Sequence, residues 1–146
     1  MKKMFLLMAM MGLTLSGFAK DVITKDINNL PVAARTMIRK HFPNAKLSYV
    51  KMDKEVMQAA TFEAVFEDGT QIDFNKKGEW TEVDCKLTPV PAALIPAAIQ
   101  NYLKQNFPDV GVENIEKMRK GGYEVDLHNG LSVRFDAKGK FMRLDD

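Results

Sequence analysis

Few side chains in this 146-residue sequence have the chemistry of a catalytic or metal-binding centre. The two histidines, His41 and His128, are the side chains whose ordinary pKa suits a base or a metal ligand near neutral pH. They occupy unlike positions, one at the end of a predicted helix and one beside a predicted turn, and neither has the spacing of a zinc motif. We therefore predict no metal site and no cofactor.

Nucleophilic catalysis has equally little support. Cys85 is the single cysteine and lies between Asp84 and Lys86 in a predicted linker, whereas a reactive thiol needs a nearby base and an electropositive setting. Ser48 and Ser132 are the only serines beyond the first nineteen residues, and neither lies in a Gly-x-Ser-x-Gly motif. We predict that the protein has no catalytic residues and is not an enzyme.

The carboxylates leave one alternative open. Glu63 and Glu124 occupy equivalent positions in two similar segments, and paired acids catalyse glycoside hydrolysis. The same pattern is typical of solvated, outward positions on a strand, which is the interpretation we favour. The alternative function is therefore an enzyme with an unrecognised carboxylate pair, or a small-ligand carrier with a cavity between helix and sheet.

The first nineteen residues have the pattern of a signal peptide. Lys2 and Lys3 precede an uncharged apolar run, Met4–Leu15, which is followed by small residues at Gly17 and Ala19. This leader holds two of the 21 basic residues and none of the 19 acidic ones, so the rest of the chain is formally neutral. We expect cleavage after residue 19 and export to the periplasm, and the neutral balance argues against nucleic acid or a membrane surface as partner.

Two blocks of the sequence recur in the same order. Residues 30–44 match residues 95–109 at an offset of 65, with proline on proline twice, and residues 62–69 match residues 123–130 at an offset of 61. The difference fits a longer loop in the first copy. The sequence therefore predicts two tandem repeats joined by a linker, with boundaries at 20–84, 85–90 and 91–146.

Each copy has the pattern of a short helix followed by strands. Pro31 and Pro96 suit the first turn of a helix, and Pro43 and Pro108 end it because the residue before proline is displaced from the helical region. The remainder alternates apolar and polar residues between Asp-Gly, Asn-Gly and Lys-Gly turn pairs. The predicted fold class is α+β: two tandem αβ4 repeats, each a short helix packed on antiparallel sheet.

These features together resemble a known family. A short helix that ends in Phe-Pro, followed by strands with an Asp-Gly turn and a Lys-Gly turn before an aromatic residue, is similar to the PepSY-like modules of exported bacterial proteins. The tandem arrangement behind a leader resembles the PepSY-like, beta-lactamase-inhibitor-like periplasmic proteins of Bacteroidetes. The resemblance implies two αβ4 repeats without catalytic residues, and inhibition of a peptidase or another enzyme as a form of activity.

Residues that alternate with the apolar strand positions are expected to face away from the helices. A polar face of mixed charge suits contact with a protein, although a solvated sheet face has the same pattern. The predicted function is an exported, non-catalytic module that binds an unidentified protein or peptide through this face, with Arg134 as the best anchor. The predicted binding residues are Glu63, Val65, Gln71, Asp73, Glu124, Asp126, Ser132 and Arg134, with Glu67 and His128 at the adjoining turns.

Overall fold

Helices and strands follow each other in the order predicted from the turn pairs. The computed structural model describes residues 21–53 and 61–146, so the predicted signal peptide lies outside the described residues. The one helix and four strands expected in each half are present, and a short first strand was not predicted. The bounds are β1 Val22–Thr24, α1 Val32–His41, β2 Leu47–Asp53, β3 Thr61–Phe66, β4 Gln71–Phe74, β5 Trp80–Asp84, α2 Ala97–Asn106, β6 Val112–Lys117, β7 Tyr123–Leu127, β8 Ser132–Phe135 and β9 Phe141–Asp145.

All strands of the described ranges form one antiparallel sheet of nine strands in sequence order, β1 to β9. The two halves meet where β5 pairs with β6, with Val83 opposite Ile115 and Asp84 opposite Asn114. The predicted α+β class is therefore confirmed, and the two sheets are continuous. The division of the chain into two repeats stays a prediction.

Proline sets the start and the end of each helix. Pro31 is the N-cap residue of α1, and Phe42, in front of a proline, donates its N–H to the carbonyl oxygen of Ile38 at 2.8 Å. Pro96 and Phe107 bound α2 in the same way. Each helix has 10 residues, too short to be stable alone, so both depend on packing against the sheet. In the described part of the chain, neither helix is long and apolar enough to cross a bilayer.

The two helices pack their apolar stripes on one face of the sheet, here called the inner face. Phe42 stacks on Phe66 with ring centroids 6.4 Å apart, and the ring of Tyr102 meets that of Phe135 edge-on at 5.4 Å. The result is a single buried core, because residues of both halves belong to one cluster. Its buried members include Ala34, Ile38, Val50, Ala64, Phe66, Ile72, Phe74, Val83, Ile99, Leu103, Ile115, Val125, Leu127, Val133 and Phe135.

The segment predicted as a linker is tied into this core. Cys85 is 0% exposed and donates its N–H to the carbonyl oxygen of Glu113 at 2.8 Å. Val90 is also buried and donates its N–H to the carbonyl oxygen of Val112 at 2.8 Å. The link between the halves is thus part of the packed structure rather than a free tether.

Candidate functional site

The opposite face of the sheet, here called the outer face, carries a row of acids across its centre. Cross-strand pairing places Glu63 opposite Asp73, Asp73 opposite Glu82, Glu82 opposite Glu116, and Glu116 opposite Glu124. These five residues, one from each of β3 to β7, are called the acidic row. Adjacent strands lie about 4.8 Å apart, so the row spans about 19 Å.

A basic residue stands at each end of the acidic row. Lys51 on β2 is opposite Glu63, and Arg134 on β8 is opposite Glu124. Lys51 also pairs with Asp21, with 3.3 Å between Nζ and Oδ2. The acidic stretch is therefore confined to the middle strands of the sheet.

Period-two alternation explains why these side chains share the outer face. Val83, Ile115 and Val125 point inward and are 0% exposed, so their neighbours along each strand point outward. Among the outward acids, Glu124 is only 7% exposed, and the other four acids of the row are half-buried. The carboxylates are thus held close together in a partly buried setting.

This packing shifts the protonation of the central acids. Burial, and then the negative charge of Glu63, raises the pKa of Asp73 to about 6. Burial raises the pKa of Glu82 to about 7, although a hydrogen bond from Asn114 lowers it. The negative charges of Glu116 and Asp73 add to the rise. Near neutral pH the middle of the row is therefore only partly ionised.

A second row runs beside the first, one pleat along the strands. It consists of Val65, Gln71, Asp84, Asn114, Asp126 and Ser132, joined by cross-strand pairing from β3 to β8. We call it the second row.

Hydrogen bonds connect the second row to the acidic row. Asn114 Nδ2 donates to Glu82 Oε1 at 3.0 Å and to Asp126 Oδ2 at 3.3 Å. Ser132 Oγ donates to Asp126 Oδ1 and lies 3.3 Å from Glu124 Oε1. The two rows therefore form one polar network across the middle of the outer face.

Three oxygen atoms of this network have no hydrogen-bond partner among the described residues. They are Oδ1 of Asp73, Oδ1 of Asp84 and Oδ1 of Asn114, and each atom is buried. Asn114 is only 5% exposed, while the second oxygen of Asp84 pairs with Lys86 Nζ at 3.0 Å. The Nε atom of Arg134 is also buried without a partner in this part of the chain. The network thus has unused acceptors at its centre and an unused donor at one end.

A groove of about 480 Å³ lies over β2 to β6 on this face. Four acids of the row line it together with three basic residues, and Phe62 and Phe74 contribute to its lining; the basic residues are Lys51, Lys117 and Arg119. At its margin, Lys117 Nζ lies 3.8 Å from the centre of the Trp80 ring, as in a cation–π contact. The groove is large enough for a small ligand or several side chains of a partner.

The eight residues predicted to bind protein all lie on the outer face. Glu63, Asp73 and Glu124 are in the acidic row, Arg134 is at its end, and the other four predicted residues are in the second row. Glu67 and His128 differ, because both are exposed turn residues outside the paired strands. Whether the face binds a protein stays a prediction.

Glu63 and Glu124 do not form the carboxylate pair considered from sequence. They lie on β3 and β7, about 19 Å apart across the sheet. The neighbouring acids are instead Asp73 and Glu82, which are directly opposite each other.

Residues 21–53 and 61–146 contain no group of three or more histidine, cysteine, aspartate or glutamate side chains placed to hold a metal ion. Burial lowers the pKa of His41, with a contribution from Lys40, and raises the pKa of the Cys85 thiol to about 11. These shifts favour the neutral forms of both groups, as expected for structural side chains.

Sequence reasoning missed Glu82, Asp84, Asn114 and Glu116, which carry much of the network. A register shift lies just before Glu82 in β5 and another just before Asn114 in β6. Such bulges break the alternation that assigns strand residues to a face. The apolar residues Val83 and Ile115 could have identified the missed residues from sequence. Each points inward, so its neighbours along the strand, which include the missed acids, must point outward.

Comparisons with known proteins agree with this architecture. The family described as "Putative beta-lactamase-inhibitor-like, PepSY-like" matches residues 60–143, more than half of the chain. No curated protein sequence matches the chain.

Three solved structures from Bacteroides are similar over nearly the whole described fold, and each covers 87% of this chain. A "putative periplasmic protein of unknown function" from Bacteroides vulgatus is 47% identical, with a TM-score of 0.81 and all of that chain covered. A second protein from Bacteroides vulgatus, a "putative periplasmic protein from DUF2874 family", is 37% identical, with a TM-score of 0.79 and 96% of that chain covered.

The third structure, from Bacteroides thetaiotaomicron, is described as a "putative calcium-regulated periplasmic protein". It is 38% identical, with a TM-score of 0.79 and 96% of that chain covered. The matched residues, the helices on one face of an antiparallel sheet and the similarity of whole chains agree with one another. The chain belongs to the PepSY-like, beta-lactamase-inhibitor-like family.

Proposed function

We propose that the protein is a non-catalytic periplasmic binding protein that uses the outer face of its sheet to bind another protein. The observation that carries this proposal is the acidic row, in which like charges stand directly opposite one another on neighbouring strands. Such pairs destabilise a sheet. A network that lowers the stability of the free protein is typical of a functional surface rather than of a structural one.

The packing of the helices also favours the outer face as the binding surface. Both helices cover the inner face, and no described element covers the outer one. Arginine is enriched at the energetic centres of protein interfaces, and Arg134 has a buried Nε without a partner in the described ranges. Inhibition of a periplasmic enzyme or peptidase is the form of binding that the family's description suggests, and the similar structures are named as periplasmic proteins.

Affinity capture from a periplasmic extract, with mass spectrometry of the retained proteins, tests the proposal. The test variants are Arg134→Ala and Glu63→Ala, which each remove one charged side chain from the outer face. The control variants, Arg39→Ala on α1 and Asp109→Ala after α2, remove a side chain of the same charge from an exposed position off that face. We expect a protein retained by the wild type and by both controls to be lost or strongly reduced with the outer-face variants.

Two results would overturn this assignment. One is equal retention by the wild type and the two outer-face variants. The other is loss with Arg39→Ala or Asp109→Ala alone, which would place the binding site on the side of the helices. Thermal melts of all four variants verify that each is folded.

A second candidate is general acid–base chemistry by Asp73 and Glu82. Their raised pKa values and their position at the groove favour it, because catalytic carboxyl groups titrate near the working pH. Hydrolysis of nitrophenyl glycosides between pH 5 and 8 is the direct test. Turnover abolished by Glu82→Gln would support an enzyme, and binding of the sugar without turnover would support a small-ligand carrier.

Calcium is a third possibility to test, because one similar structure is named as calcium-regulated. The described residues contain no group of three or more histidine, cysteine, aspartate or glutamate side chains placed to hold a metal ion. A rise in melting temperature with about 1 mM Ca²⁺ that is lost in Glu82→Gln would place a cation in the acidic row. An unchanged melting temperature would indicate that this protein does not bind Ca²⁺ under these conditions, unlike what the name of the similar structure suggests for that protein.

A further inference from the structure

The outer face contains more acceptors than donors. Around the centre of the network, the polar atoms that have no hydrogen-bond partner among the described residues are all acceptors: Oδ1 of Asp73, Oδ1 of Asp84 and Oδ1 of Asn114. The Oδ1 atom of Asn114 is an amide oxygen and can only accept, while its Nδ2 already donates to Glu82 and Asp126. Its orientation is fixed by those two carboxylates, since a flipped amide would place its oxygen against them. A complementary ligand must therefore bring N–H or O–H donors.

Positive charge is the second requirement. Five acids stand in the acidic row, and uptake of protons is one way in which the free protein relieves their repulsion. A cationic group would relieve the same repulsion without protonation. Ammonium and guanidinium groups combine positive charge with several donors. A bare metal ion would instead need several oxygen ligands around one point, and the described residues contain no group of three or more histidine, cysteine, aspartate or glutamate side chains placed to hold one.

The length of the acidic row favours an extended peptide over a single ion as the ligand. The acidic row extends for about 19 Å, and side chains on one side of an extended peptide recur every 6 to 7 Å, at about twice the rise per residue. Three alternate side chains would therefore cover most of the row. The half-buried Phe62 in the groove offers apolar surface to the methylene stem of a long basic side chain.

We propose that the segment bound by the outer face is an extended basic peptide of the partner protein, with lysine or arginine at alternate positions. Its cationic groups meet the acidic row, and a small side-chain movement that uncovers Oδ1 of Asp73, Asp84 or Asn114 lets one of them donate a hydrogen bond there. This inference rests on the proposed function, because it names the chemistry of the partner that the outer face binds.

A labelled peptide, acetyl-Arg-Ala-Arg-Ala-Arg-amide, is the probe, and acetyl-Gln-Ala-Gln-Ala-Gln-amide is its uncharged control. Fluorescence anisotropy at an ionic strength of about 0.15 M reduces non-specific attraction between exposed charges. We expect Asp73→Asn combined with Glu82→Gln to weaken binding of the arginine peptide at least tenfold. Glu67→Gln combined with Asp109→Asn removes the same formal charge from exposed positions outside both rows and should change the affinity less than twofold.

Asn114→Leu tests the centre of the network without a change of formal charge, because it removes Oδ1 together with the Nδ2 donor to Glu82 and Asp126. We expect a loss of affinity of at least threefold. Thermal melts establish that the variants are folded, and the wild-type protein provides a measurement that needs no variant. Its affinity for the arginine peptide should be at least fivefold weaker at pH 5 than at pH 7.5, because protonation removes negative charge from the row.

The groups that set this pH dependence face one another on four strands. Glu63 on β3 faces Asp73 on β4, and Glu82 on β5 faces Asp73 on one side and Glu116 on β6 on the other. Burial raises the pKa of Glu63, with the positive charge of Lys51 on β2 acting against the rise and the negative charge of Asp21 adding to it.

Failure of this inference and failure of the proposed function give different results. If the arginine peptide does not bind, or binds all variants equally, while capture of a protein still depends on Arg134 and Glu63, the outer face binds a partner of different chemistry. If capture is also independent of those residues, the proposed function fails with it. Saturable Ca²⁺ binding that is lost in Glu82→Gln, with no peptide binding, would replace the peptide by a metal ion.

Discussion

The side chains that define the site are ordinary residues in an unusual arrangement. Asp73 and Glu82 would be fully ionised at neutral pH on a solvated strand, and it is burial beside other acids that raises their pKa values. Their residue types were visible in the sequence, and Asp73 was predicted to lie on the outer face. The sequence did not show that acids on five neighbouring strands stand opposite one another, because the pairing between strands is decided by the whole sheet.

Neutralising Glu82 should stabilise the free protein. Its folded-state pKa of about 7 lies above the ordinary 4.5, so the folded protein binds this proton more tightly than the unfolded chain does. The resulting stability is fully present below about pH 4.5 and is lost as the pH rises through 7. Glu82→Gln should therefore be about 1 to 2 kcal/mol more stable than the wild type at pH 8, after allowance for solvent screening, and about equal to it at pH 4.5.

Urea unfolding followed by the fluorescence of the single tryptophan, Trp80, measures this difference. Glu67→Gln is the control, and at an exposed position it should change the stability by less than about 0.5 kcal/mol at either pH. A Glu82→Gln variant that is less stable than the wild type at pH 8 would contradict the conclusion that the acidic row lowers the stability of the free protein.

Cys85 should be unreactive in the folded protein. The thiol is 0% exposed and its pKa is raised to about 11, so both access and thiolate formation are suppressed. We expect no labelling by a maleimide at pH 7.5 within the time that labels free cysteine completely, and rapid labelling in urea. Stoichiometric labelling without denaturant would show that the segment after β5 opens readily.

At the scale of secondary structure, the strength of the local signal decided what could be predicted. Helix ends marked by proline and hairpins marked by glycine pairs were found with correct boundaries to within one or two residues. The irregular alternation of β2 and β6 has a physical cause, since each strand has a register shift near its start. A bulge adds one residue to one strand of a pair, so the faces beyond it cannot be assigned from alternation alone.

The hairpin between β4 and β5 should be sensitive to the loss of a glycine because it meets α1. Gly78 has a φ of 83°, and a Cβ there would lie 2.8 Å from Pro31 Cβ and 2.9 Å from Ala34 N. Gly130 has nearly the same φ, 88°, but open space around it. Gly130→Ala should cost about 1 kcal/mol of unfolding free energy through conformation alone, whereas Gly78→Ala should cost about 3 kcal/mol.

The difference between these two variants isolates the contact between helix and hairpin, and urea unfolding measures it. Equal losses would mean that α1 shifts at no cost to accommodate the added methyl group. The helix would then contribute less to positioning the sheet than the buried Ala34 and Ile38 indicate.

At the scale of the whole molecule, the continuous sheet turns two similar segments into one structure. The pairing of β5 with β6 brings Glu82 next to Glu116 and Asp84 next to Asn114, so the centre of the network exists only where the halves meet. Two separate sheets would divide the acidic row into two short groups. The sequence predicted each half but contained no local signal for the junction, because that pairing depends on packing in a common core.

Unfolding should therefore be a single cooperative transition. Trp80 fluorescence reports on the first half, and far-ultraviolet circular dichroism reports on both halves together. We expect the two probes to give the same urea midpoint, because residues from both halves belong to one core. Separate midpoints would show that one half can stay folded while the other unfolds.

The central claim is that the outer face of the sheet, rather than the helices, is the binding surface. Backbone amide shifts in nitrogen–proton spectra, recorded while the arginine peptide is added, test it most directly. We predict that the largest changes cluster on β3 to β7, at the acidic row and at Asn114, and that α1 and α2 change little. Changes centred on Val32–His41 and Ala97–Asn106, or spread evenly over the molecule, would contradict the claim.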